Sequence, residues 1–318
     1  MDYAEFDDAV DALRDGVYAG LPIVHAPESD DEDPQGLPAP EAAAWRIGAD
    51  WDEGDFESGF RHFVGTVDTT KVSALIVGGW GEPYEDDSSK VVGLLTEHAD
   101  RFPALRSLFL GAMSCEECEI SWIQQSDVTP LLAAFPLLER LEVRGGEGLL
   151  FPLVRHDNLR VLRCETGGLP ASVVRGIGDS DLPALEYLEL WLGVSNYGGD
   201  ATVADLEAIL SGERLPALRH LGLQDSEIQD EVAAAVASAP VVARLESLSL
   251  SMGALGDEGA EALLSGQPLT HLKRLDLHHH HLTDSMVDRV GAVLAGVKVD
   301  LSGQLGPDDE WRYVAVTE

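Results

Sequence analysis

The sequence predicts an α/β solenoid in which a parallel sheet lines the concave side and helices cover the convex side, over about nine repeats. Three observations predict it. First, an apolar residue, two variable residues, an apolar residue, one variable residue and an apolar residue recur. They do so as Leu105-Leu108-Leu110, Leu138-Leu141-Val143, Leu159-Leu162-Cys164, Leu185-Leu188-Leu190, Leu218-Leu221-Leu223, Leu245-Leu248-Leu250 and Leu272-Leu275-Leu277. Val72-Leu75-Val77 extends the series at one end, and Val299 and Leu301 at the other. Second, measured at the third apolar residue, the units lie 33, 33, 21, 26, 33, 27, 27 and 24 residues apart. Third, Asp230, Asp257 and Asp284 stand where first-turn caps belong, followed by Ala-rich stretches such as Val232 to Val236 and Ala260 to Leu264.

Alternation explains the strands: the apolar residues face one side and their intervening neighbours the other. No single strand–helix unit can bury its own apolar face, so the units must stack. Runs such as Leu223 to Glu231, Leu250 to Ala260 and Leu277 to Asp284 carry a strand, a turn, an apolar residue and an Asp opening a helix. From Val72 to Leu301 the chain resembles the leucine-rich-repeat proteins of the ribonuclease-inhibitor-like class. More narrowly, it resembles a bacterial family of such proteins with an acidic N-terminal extension. The resemblance implies a horseshoe-shaped solenoid that binds proteins; it does not imply ribonuclease inhibition.

Residues 1–70 form the first predicted region, an acidic extension and cap, with 18 acidic and 3 basic side chains. Residues 4–19 can form an amphipathic helix through Phe6, Val10, Leu13 and Val17. Residues 22–40 hold five prolines and the run Glu28, Asp30, Asp31, Glu32 and Asp33, a composition expected of a mobile connector. Ala43 to Ile47 reads as a strand, and Phe56, Phe60 and Phe63 as a helix capping the first repeat. The solenoid is expected over 71–303, with 304–318 as a C-terminal cap in which Trp311 to Val316 closes the last unit.

Three units exceed the 27-residue length of the later ones, with the surplus after the strand, in Gly78 to Ser89, Gly111 to Asp127 and Trp191 to Val203. Insertions confined to one face often mark a binding side. These carry Trp80, Tyr84, Trp122, Trp191 and Tyr197, five of the 12 Trp and Tyr residues, and predict a recognition edge. The alternative is that each aromatic pins its own loop.

The concave face is expected to present Phe109, Glu142, Arg144, Arg163, Glu165, Tyr187, Glu189, Trp191, Arg274, Asp276 and His278 to solvent and to a partner. The competing reading is a solvated face whose charges pair with one another.

A formal charge of −36 disfavours nucleic acid and anionic membranes and favours a basic protein partner. Three cysteines exclude a disulfide-built scaffold, and Cys115 and Cys118 have acidic neighbours that disfavour a thiolate. Met1 to Gly16 lacks the features of a signal peptide, and no apolar run is long enough to span a membrane, so a soluble, cytoplasmic protein is expected. His278 to His281 invites a metal, but alternation sends adjacent side chains apart, and His280 takes a turn position usually held by a ladder Asn. Residues 31–36 only faintly echo a calcium loop. Nucleotide-loop, zinc-protease and nucleophile-elbow motifs are absent. The expectation is a non-enzymatic protein-binding module without cofactor and with no metal site. The alternatives are a metal-dependent hydrolase or metal-responsive regulator using Asp276 and His278, and a structural subunit of an obligate complex.

Overall fold

The computed structural model describes residues 16–27, 36–49, 55–306 and 312–318. The chain divides into two units, residues 1–149 and 150–318. The first unit contains β1 (Val17–Tyr18), β2 (Leu21–His25), β3 (Ala44–Ala49), α1 (Phe56–Thr66), β4 (Ala74–Trp80), α2 (Ser89–Glu97), β5 (Ser107–Leu110), α3 (Thr129–Ala134) and β6 (Arg140–Arg144). The second contains β7 (Val161–Glu165), α4 (Ala171–Asp179), β8 (Tyr187–Gly193), α5 (Glu207–Ser211), β9 (His220–Ser226) and α6 (Gln229–Val236). It continues with β10 (Ser247–Ser249), α7 (Asp257–Ser265), β11 (Arg274–Asp276), α8 (Asp284–Val293) and β12 (Lys298–Asp300).

The register follows the apolar pattern. In the first unit β2 to β6 pair in parallel, with Leu75 opposite Leu108 and Leu108 opposite Leu141. In the second, β7 to β12 pair in parallel and align Leu162, Leu188, Leu221, Leu248, Leu275 and Val299. The aligned leucines are buried, each contributing about 1.5–3 kcal/mol over an exposed position.

Helix starts are tied from one repeat to the next. Asp230, Asp257 and Asp284 lie in the first turns of α6, α7 and α8, as expected. Their carboxylates, however, serve the following repeat. Asp230 Oδ1 accepts the Gly256 and Gly259 N–H groups at 2.7 and 3.1 Å, Asp257 accepts from Thr283, and Asp284 accepts from Gln304. His280 fills the ladder role: its Nδ1 accepts from Leu282 N–H at 3.2 Å and its Nε2 lies 3.1 Å from the Leu301 carbonyl oxygen.

Before residue 55 the expectations need correction. The helix proposed over 4–19 lies outside the described residues as far as residue 15, and Val17–Tyr18 is a strand. Within the segment expected as a mobile connector, Leu21–His25 is a strand pairing with β3; residues 28–35 lie outside the described set. Ile23 and Val24 supply the β-branched character that the proline count obscured. The hairpin β1–β2 folds onto the sheet, so Tyr18 is buried with Ala44, Ala74, Ile76 and Phe109, and Ala19, Leu21 and Ile23 pack against the cluster.

The strand and helix expected next are present. On α1, whose N-cap Asp55 accepts the Glu57 N–H, Phe56, Phe60 and Phe63 are buried; Phe63 meets Trp45 at 5.6 Å and Phe60 meets Phe102 at 6.0 Å. Residues 312–318 lie across the end of β9 and the turns that follow β10 and β11, rather than over the last strand alone.

Candidate functional site

Two loops of the first unit form an edge. Trp80 is buried, donating its indole N–H to the Asp86 carbonyl at 2.9 Å, which fastens the 81–88 loop. That loop is sewn to the next one. Gln124 donates its backbone N–H to Pro83 and its side-chain amide to the Tyr84 carbonyl at 2.8 and 2.7 Å, and Ser88 meets Ser126 at 2.9 Å. From below, the buried Arg46 of β3 donates to the Ala112 carbonyl at 2.7 Å and pairs with Glu117 at 2.9 Å. Ile120 and Ile123 are buried and anchor the stretch between them.

On this braced support Tyr84 and Trp122 stand 47% and 55% exposed. Around them are the exposed carboxylates of Glu82, Glu85, Asp86, Asp87, Glu116 and Glu119. Their field is felt locally: Glu82 foremost, then desolvation and Glu85, pushes the Tyr84 hydroxyl above the usual tyrosine range. A groove of about 510 Å3 beside Trp80 adds Asp55, Glu57 and Glu97 to its lining. The arrangement offers aromatic contact area within a negative rim.

The concave positions are placed differently from the expectation of a solvent-facing surface. Phe109 and Glu142, each 1% exposed, lie in the first unit beneath or beside Tyr18, and Arg140 bonds Glu142 at 2.5 Å. Arg144 is half-buried. In the second unit Arg163, Glu165, Tyr187, Glu189 and Trp191 are buried against one another. In-register parallel strands set equivalent side chains about 4.8 Å apart, so long ones cover their neighbours.

Glu189 is the hub of that cluster. It accepts from Arg163 at 2.7 Å, from the Tyr187 hydroxyl at 2.5 Å and from the Trp191 indole at 3.1 Å. Gly222, opposite Glu189, leaves the space, since a Cβ there would lie 2.9 Å from Glu189 Cγ. Burial works to raise the Glu189 carboxyl, but Arg163, His220 and Tyr187 hold it below the usual carboxylate range. His220 stacks on Tyr187 at 4.0 Å. Trp191 therefore belongs to the packing of the second unit, and its loss would disturb the fold as well as any surface. Tyr197 is half-buried, its hydroxyl on the Glu318 carboxylate.

Arg274 and His278, both half-buried, share the buried Asp276: Arg274 at 3.2 Å and His278 Nδ1 at 2.9 Å. The four histidines do not share one centre: His278 turns to Asp276 and His280 to Leu301, while His279 and His281 meet at the Tyr313 carbonyl oxygen and His281 also reaches Gly306. Among the described residues no three His, Cys, Asp or Glu side chains are grouped so as to hold a metal ion. Burial pushes the Cys118 thiol up to about 11 and the Cys164 thiol to about 12, against thiolate chemistry. No helix among the described residues is long and apolar enough to cross a membrane.

Sequence reasoning missed Tyr18, Arg46 and Asp225. Arg46 alone carried a signal, as one of three basic residues in the first 70.

Repeated parallel strands, in-register leucines and helix caps passed from one repeat to the next define a leucine-rich-repeat protein, and the chain belongs to that family. Residues 245–264 match the Leucine Rich repeat family model. A crystal structure of a Bacteroides fragilis protein is similar with a TM-score of 0.78 and 31% identity, covering 86% of this chain and 76% of its own. A structure of a TLR13–ssRNA13 complex matches with a TM-score of 0.41 and 15% identity, covering 84% of this chain and 37% of its own. No curated protein matches the sequence.

Proposed function

We propose that this protein is a non-enzymatic interaction module that captures a basic protein partner through the looped edge bearing Tyr84 and Trp122. The observation that carries this reading is the pair of exposed aromatics held on hydrogen-bonded loops within a carboxylate rim. Exposed aromatics on a pre-organised support lose little conformational entropy on binding, which is why they recur as interface anchors. The surrounding carboxylates favour Lys- and Arg-rich surfaces and speed their encounter at low salt. Leucine-rich-repeat proteins generally act as binding modules, which agrees with the reading.

Of the concave residues of the first unit, Arg144 retains partial exposure and adds to the proposed surface; in the second unit Arg274 and His278 are partly exposed as well. The buried Arg163–Glu165–Glu189 group serves packing in this proposal. Capture of partners from native lysate by wild type and by a Tyr84→Ala/Trp122→Ala double variant tests it. The double variant should lose the partner with an unchanged circular dichroism spectrum, and undiminished capture would refute the edge.

A further inference from the structure

Asp225, at the end of β9, and Met252 and His279, just after β10 and β11, occupy equivalent positions of successive repeats, 27 residues apart, and all three adopt a left-handed backbone with φ of 54, 68 and 54°. The 312–318 segment crosses these positions in reverse order. The Tyr313 carbonyl oxygen lies 3.1 Å from His279 Nε2, the Ala315 N–H donates to the Met252 carbonyl at 2.7 Å, and the Val316 N–H donates to Asp225 Oδ1 at 2.9 Å. Arg312 pairs with Asp230 at 2.7 Å and donates to the Ala254 carbonyl at 3.1 Å. Val314 is buried.

Asp225 itself is wholly buried, and its Oδ2 has no hydrogen-bond partner. A carboxylate with one oxygen shut from water and from every donor is costly, whereas the neutral acid fits. We propose that residues 312–318 form a releasable strap across the repeat turns, and that the strap docks with uptake of one proton at Asp225.

The linkage runs in one direction. With the strap docked, burial pushes the Asp225 carboxyl up to about 8, against the opposing pull of the Val316 and Ala315 N–H groups. With the strap released the carboxyl meets water and titrates near about 4. Between those values the docked form holds a proton that the released form does not, so rising pH drives release about tenfold per pH unit. Other ionisable groups lie on the strap's path: Arg312, Tyr313 and Glu318 on the strap, with Tyr197, Asp230, His279 and His281 on the turns. Burial holds His279 below the usual histidine range, so its charging opposes docking only on the acid side.

Hydrogen exchange of the full chain at pH 6, 7, 8 and 9 tests the proposal, compared with Asp225→Asn, which suits the left-handed backbone and cannot ionise. After correction for intrinsic exchange rates, protection at Ala315 and Val316 should fall about tenfold per pH unit up to about pH 8 in wild type and stay level in the variant. The histidines are common to both chains, so the ratio isolates Asp225. Leu221 in β9 reports on the fold and should keep its protection. Equal pH profiles for the two chains, or loss of protection at Leu221 together with the strap, would overturn the proposal. If the variant fails to fold, the wild-type contrast between Val316 and Leu221 decides.

Discussion

The Arg140 guanidinium sits 4.7 Å from the centre of the Tyr18 ring, so a hairpin near the start of the chain covers a charge on the sixth strand. The same ring lies 6.2 Å from Phe109 and closes the apolar patch of Ala44, Ala74 and Ile76. A face that alternation alone assigns to solvent is thereby part of the core of the first unit.

Tyr18→Ala should therefore destabilise the protein by about 3–5 kcal/mol, in the range of buried aromatic truncations, and raise binding of an apolar dye. Tyr18→Phe keeps the ring and should stay within about 1.5 kcal/mol of wild type. Urea denaturation of both variants checks this; equal midpoints for Tyr18→Ala and wild type would contradict the packing role.

Removing Arg163 leaves Glu165 and Glu189 buried without their shared guanidinium, to which they sit 2.7 Å away. Arg163→Ala should cost about 3–5 kcal/mol. Glu189→Gln leaves Arg163 its bond to Glu165 and keeps an acceptor for Tyr187, so it should cost less. The order of the two denaturation midpoints is the readout.

His280 replaces an amide in the turn ladder, so His280→Ala should leave the Leu282 N–H and Leu301 carbonyl unpaired at about 1–3 kcal/mol. His280→Asn should recover most of that loss, as thermal melting can show. Equal melting points for the two variants would mean that the imidazole fills space and no more.

Burial pushes His220 from 6.5 down to about 4, with Glu189 working in the opposite direction. Between those values the unfolded chain binds a proton that the folded chain refuses, so stability declines as pH falls through that window. His220→Gln should flatten this part of the profile when urea midpoints at pH 4.5 and 7 are compared. A slope equal to that of wild type would place the titrating group elsewhere.

The repeat was legible because Leu, alternation and spacing are local properties. Pairings such as Leu110 with Val143 and Leu190 with Leu223 fall where the third apolar positions align. His280 was legible too, since its place in the unit matched Ser226 and Gly253. The fate of the concave side chains was not. Tyr18 meets Phe109 across 91 residues of sequence, and Val316 meets Asp225 across another 91. No periodicity encodes such contacts. Nor does composition distinguish Trp122, which stays exposed, from Trp80, which ends β4 and bonds back to the Asp86 carbonyl: from sequence both read as tryptophans in insertions of similar character. Mutual coverage of Arg163, Glu165 and Glu189 depends on the close spacing of in-register strands, which becomes visible only when side-chain lengths are placed on the sheet.

The claim that Tyr84 and Trp122 form the contact edge is tested most directly by hydroxyl-radical footprinting of the captured complex against the free chain. Both residues should become protected in the complex, while other exposed apolar residues, Leu153 and Val293 among them, keep their reactivity. Protection centred on those latter sites, with Tyr84 and Trp122 as reactive as in the free chain, would contradict it.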